Sequence, residues 1–244
     1  MTVCSKLALL GITAIALASI GTPAAANPTT DQMQLTSGST TITITDNGPG
    51  DLNPISGTIA YSNPDLNGWE INFTAFTAGT SNSPNLSPFG LNLTSLTANC
   101  TGGPCSDSGL AIAYSDINFA VPIDAGGFAT TYSGTITGGG TTSQSAYFDN
   151  SNTIFGTTDL IGTVGPLGAP SGNGAVTGGA VAAVPDYALT LVQTFTDTNG
   201  GPVSFSVDPD ITAVPEPGTL AIFGTALGSL AVIRRRKRSS GNPT

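Results

Sequence analysis

Thr41-Ile42-Thr43-Ile44-Thr45 alternates a hydroxyl with an apolar side chain at every step. Period two places one residue type on each face of an extended chain, so this stretch is expected to be a strand with one face buried and one face wet. Similar short runs occur at residues 55–61, 69–76, 91–97, 110–119, 130–137, 146–148, 187–196 and 203–207. Between the two ends of the chain no segment sustains an apolar period near 3.6.

Turn chemistry agrees with strands. Asn67-Gly68 separates two of the runs, and Asn199-Gly200 lies between residues 187–196 and 203–207. Asn and Gly tolerate the positive φ that tight hairpins require. About nine strands broken by Gly, Pro and Asn predict an all-β domain, an antiparallel β-sandwich or jelly roll. Residues 162–185, rich in Gly, Ala, Pro and Val, are expected to form a long loop before the last two strands. Residues 208–217, with Asp208-Pro209-Asp210, are expected to be a linker.

Charge narrows the chemistry further. The chain has 244 residues, 9% of them charged, and a net charge of -9, but its six cations are confined to Lys6, Arg234, Arg235, Arg236, Lys237 and Arg238. All fifteen acids lie between them, and residues 27–233 contain no Lys, Arg or His. Such a surface repels nucleic acid, whose affinity for proteins rests on Lys and Arg at phosphates. No imidazole is present to activate Ser or Cys, no Lys to form a Schiff base, and no cation to clamp a phosphate. The expectation is therefore a protein that is not an enzyme.

Two carboxylates would suffice for glycoside hydrolysis, and Glu70 stands beside Trp69, an aromatic able to stack on a sugar. Neighbours on a strand point to opposite faces, which predicts Trp69 in the core and Glu70 in solvent. Tyr61, Tyr114, Tyr132, Tyr147 and Tyr187 are expected at core or rim positions. No cofactor is expected. Calcium is the one metal whose preferred oxygens cluster here, at Asp46-Asn47, Asp149-Asn150-Ser151-Asn152 and Asp197-Thr198-Asn199-Gly200; turns in which Asp and Asn cap their own backbone account for the same residues.

The first 26 residues have a short n-region with Lys6, an apolar run at residues 7–20, and small residues at Ala24 and Ala26. This is the pattern of a secretory signal cleaved before Asn27 by signal peptidase. Cys100 and Cys105, in Cys-Thr-Gly-Gly-Pro-Cys, would then meet an oxidising compartment, and a disulfide across that turn is expected. Between the two signals, residues 27–207 are assigned to the β domain.

Near the other end, Val214-Pro215-Glu216-Pro217 precedes an apolar stretch at residues 218–233 and the run Arg234, Arg235, Arg236, Lys237, Arg238 within the tail 234–244. The apolar stretch would make roughly 24 Å of helix, slightly short for a hydrocarbon core of about 30 Å. Cations stay cytoplasmic, which puts the β domain outside. Proline-flanked box, short apolar helix and basic cluster together resemble the PEP-CTERM sorting domain. The resemblance implies an exported protein of a Gram-negative bacterium that makes exopolysaccharide, recognised at Val214, Pro215, Glu216 and Pro217 by a membrane exosortase. A surface or matrix protein of a biofilm follows as the leading function, and a carbohydrate-binding or adhesive module as the alternative.

Overall fold

The computed structural model describes residues 31–78, 90–101, 105, 109–119, 125–178 and 186–215. Twelve strands follow in order: β1 (Gln32–Ser37), β2 (Thr40–Thr45), β3 (Thr58–Leu66), β4 (Trp69–Ala78), β5 (Gly90–Cys100), β6 (Leu110–Phe119), β7 (Ala125–Thr137), β8 (Gly140–Asp149), β9 (Asp159–Gly168), β10 (Ser171–Thr177), β11 (Tyr187–Asp197) and β12 (Val203–Pro215). They form two six-stranded sheets, ordered β2-β1-β6-β11-β8-β9 and β10-β7-β12-β5-β4-β3. The pairs of neighbours are antiparallel.

The sheets face each other over one apolar core, which makes the fold a β-sandwich. At one end Trp69 of the second sheet packs against Phe195 of the first and Phe205 of its own, with ring centroids 6.5 and 6.2 Å away. At the other end Phe128 reaches across to Phe148 and Tyr187 at 6.2 and 5.8 Å. A polar bridge also crosses the core. Gln144 of β8 crosses to the second sheet, where its Nε2 donates to Thr130 Oγ1 at 2.5 Å and to the carbonyls of Thr131 and Asp210 at 2.9 and 3.1 Å.

Asn67 and Gly68 have φ of 53° and 88° and close a two-residue hairpin between β3 and β4, with Leu66 opposite Trp69. The second Asn-Gly pair behaves differently from the hairpin expected of it. β11 pairs with β6 and β8, and β12 with β5 and β7, so Asn199 and Gly200 lie in an arch between sheets. Asp197 Oδ1 holds that arch through the amides of Asn199 and Gly200, at 2.9 and 3.1 Å.

Two further expectations need correction. Most of residues 162–185, expected as a loop, belong to β9 and β10; residues 179–185 lie outside the described part. These strands are edges of opposite sheets, and they touch. A Cβ at Gly162 would run into Val176, and one at Gly174 into Val164. Valine side chains of each edge strand pack directly onto glycine of the other, and glycine is the residue that leaves them room.

Residues 208–215, expected as linker, continue β12. Asp208 Oδ1 accepts from the Ser95 amide at 2.7 Å, and Asp210 Oδ1 from the Thr131 amide and hydroxyl at 3.0 and 2.7 Å. The two aspartates fasten β12 to the strands on either side. Pro209 falls where the β5 register shifts, between Val207 and Asp210, so its missing N–H is accommodated at an irregularity.

Candidate functional site

β12 lies between β7 and β5 in the second sheet. It is paired on both edges as far as Thr212, which stands opposite Gly90 and Ala129. Beyond Thr212 the partner among the described residues is β7, with Ala213 opposite Phe128 and Pro215 opposite Ala125. Val214 is half-buried and Ala213 packs against the core. Val214 and Pro215 are thus sheet residues. Glu216, Pro217, the apolar stretch at residues 218–233 and the cations Arg234, Arg235, Arg236, Lys237 and Arg238 lie outside the described residues, as do Ala24, Ala26 and Asn27.

Cys100 and Cys105 are joined in a disulfide with Cα atoms 6.1 Å apart. Both are buried at the end of β5, beside the turn at Gly68.

Trp69 is fully buried and Glu70 is exposed, as strand alternation requires. Tyr114, Tyr132 and Tyr187 are core residues, while Tyr61 packs on the core from its margin, 5.6 Å from Phe73. The acids of the turns are engaged with backbone amides. Asp46 Oδ2 accepts from Gly57 N at 2.8 Å, Asp51 from Asn47, Asn53 and Ala60, Asp65 from Gly68, Asp149 from Ser151, and Asp197 from Asn199 and Gly200. In a domain without cations, amides and hydroxyls are the donors left for carboxylates. Of the three candidate calcium segments, those at Asp149 and Asp197 display the Asx-turn arrangement, while Asp46 reaches across to the distant Gly57 amide.

A group that the sequence analysis missed sits inside the sandwich. Asp31, Asp46 and Asp116 are buried at 2, 2 and 1% exposure, close to Thr77 and Tyr114. Thr77 Oγ1 donates to Asp31 at 3.1 Å and lies 2.6 Å from the Tyr114 hydroxyl. Since threonine has one proton to give, the tyrosine donates to Thr77. Asp31 also hydrogen-bonds the side chain of Asp116, and two carboxyls meet this way only if one keeps its proton. Burial, followed by the contact with Asp116, pushes the Asp31 carboxyl up to about 10. Burial also raises Asp46, and lifts the Tyr114 phenol well above its ordinary range. Asp116 was legible in principle: it follows Leu110, Ile112 and Tyr114 at period two and so shares their inward face. Asp31 precedes Met33 and Leu35, and Thr77 follows Ile71, Phe73 and Ala75, at the same period, but nothing local says that the three polar residues meet.

The outer face of the second sheet presents a charge-free row across five strands. Ser62 is opposite Asn72, Asn72 opposite Thr97, Thr97 opposite Ser206, and Ser206 opposite Thr135. All five are half-buried or exposed. At about 4.8 Å per strand the row spans about 19 Å.

The molecule is thus defined as a β-sandwich whose C-terminal strand runs into a processing signal. Residues 213–237 match the family described as the PEP-CTERM protein-sorting motif, and the chain carries that motif at its C-terminus. The motif marks an exported, cell-envelope-associated protein and implies sorting by an exosortase. No curated protein sequence matches the chain. Among solved structures it is similar to TmCBM61, seen in complex with β-1,4-galactotriose, at 12% identity and a TM-score of 0.31, over 67% of this chain and 91% of that one. A CBM4 structure is matched at 10% identity and a TM-score of 0.28, over 69% of this chain and 98% of that one. The C-terminal family 22 carbohydrate binding module of Clostridium thermocellum Xyn10B is matched at 17% identity and a TM-score of 0.25, over 68% and 94%.

Proposed function

We propose that this chain is a non-catalytic surface or extracellular-matrix protein of a Gram-negative bacterium, delivered by signal peptidase and an exosortase and associated with exopolysaccharide in a biofilm. The observation that carries the reading is the sorting motif beginning at residue 213, inside the last strand of a sandwich whose parent segment has no basic residue. Removal of residues 1–26 and of everything after Pro217 leaves fifteen acids and no base, a formal charge of -15. A polymer partner of such a domain is neutral, or is bridged by cations.

Intact mass spectrometry of the exported protein tests delivery. The wild type is expected to begin at Asn27 and to lack Arg234 to Arg238, while Glu216→Ala or deletion of residues 214–217 leaves a longer, membrane-associated form. A mature wild type that keeps its arginine-rich tail would refute sorting by this route.

The row Ser62, Asn72, Thr97, Ser206 and Thr135 favours a second reading, a carbohydrate-binding or adhesive module. Hydroxyls and amides without charge suit a neutral glycan. Pull-down on the producing organism's own extracellular polymer, with and without a chelator, separates the readings: binding lost in an Asn72→Ala, Thr97→Ala double variant supports a module, and a chelator effect adds calcium.

A further inference from the structure

The sheet still holds β12 where the sorting motif begins. Through Thr212 the strand is paired on both edges, and at Ala213 and Pro215 it is still paired with β7. A register irregularity lies between Ala213 and Pro215, and proline has no N–H to give to a ladder. The matched motif starts at residue 213, so its first three residues are also the last three of β12. An enzyme that takes an extended chain uses the chain's own backbone hydrogen-bonding groups. Here one edge of that chain is already occupied by β7.

We propose that the sandwich regulates its own sorting: the end of β12 must peel from β7 before the motif can be fully engaged, so processing is governed by local opening at residues 213–215. The inference rests on the exosortase reading and concerns the same segment. Opening at this end involves the short pairing of residues 213–215 with β7, which carries a register irregularity. A ladder hydrogen bond is worth about 0.5–1.5 kcal/mol net, which corresponds to roughly two- to tenfold in the open fraction. Fraying confined to a strand end also leaves the core of the domain intact while the motif is processed.

The test uses the full chain in exosortase-bearing cells and follows conversion of precursor to processed form by pulse-chase. One variant inserts a ten-residue Gly-Ser segment between Thr212 and Ala213, which leaves the motif whole but frees it from the sheet. A second, Thr212→Cys with Ala129→Cys, joins two register partners that are both half-buried, just upstream of the matched residues. The insertion is expected to speed processing at least about twofold, and the oxidised crosslink to slow it by roughly two- to tenfold, with the rate restored by reductant. Deletion of residues 214–217 serves as the control. If the deletion leaves processing unchanged, the exosortase reading itself fails. If the deletion abolishes processing but neither insertion nor crosslink changes the rate, this inference is overturned and sorting stands. Acceleration by the insertion without slowing by the crosslink would also overturn it, since distance from the membrane would then be the limiting factor. Circular dichroism of the crosslinked protein checks that it is folded.

Discussion

Asp31 owes its state to the absence of any basic side chain between residues 27 and 233. Elsewhere a buried carboxylate finds an Arg or Lys; here the neighbours are Asp116 and Asp46, and a retained proton is the available neutraliser. Its folded-state value lies above that of the unfolded chain, about 10 against 3.8. The group therefore adds stability fully below pH 3.8, and that contribution is lost progressively as the pH rises through the window toward 10. Burial raises Asp46 in the same direction. Thermal unfolding of the domain is expected to show a falling midpoint between pH 4 and pH 8. Asp31→Asn, which keeps a donor for Asp116 but does not titrate, should flatten that slope. Parallel curves for wild type and variant would show that the Asp31 proton does not couple to folding.

Among the elements, β9 and β10 depart furthest from what local pattern suggests. Their residues have weak strand propensity, and valine side chains packed on glycine hold them together across the edge of the sandwich. Gly174→Val should lose stability by about 1–3 kcal/mol, the range for overpacking a filled space, because its side chain would enter the position of Val164. Denaturant melts measure the loss, and hydrogen exchange should localise it to β9 and β10. An unchanged midpoint would mean that this edge is loosely packed. β12 shows the converse case, since its acids and proline resemble a tether but fasten a central strand. Asp210→Ala removes an acceptor from both the amide and the hydroxyl of Thr131. It is expected to cost about 1.5–3 kcal/mol, the range for hydrogen bonds to charged groups, read from the same melts.

At the scale of the whole molecule, the fold rests on the two aromatic clusters and the apolar residues between the sheets, to which the crosslink adds a smaller share. The disulfide closes a loop with a sequence separation of five, for which chain entropy accounts for about 2 kcal/mol. Reduction should leave the sandwich folded with a lower melting temperature, detectable by near-ultraviolet dichroism of Trp69. Collapse of that signal on reduction at room temperature would show the domain to depend on the bond.

The sequence by itself determined the strand content, the inward Trp69 and outward Glu70, the tight hairpin at Asn67-Gly68, the pairing of Cys100 with Cys105 and the sorting motif. Each of these follows from neighbours in the chain: alternation, φ preference, a short spacing or an ordered signal. Only the tertiary structure decided that Asn199-Gly200 bridges two sheets, that a glycine-rich stretch is two edge strands, that residues 208–215 are a central strand, and that Asp31 meets Asp116. Those outcomes depend on which distant segments lie alongside, as Ser95 does for Asp208 and Val164 for Gly174. Period and composition describe a residue's own strand, while partnership across a sandwich is fixed by how the whole chain closes its core.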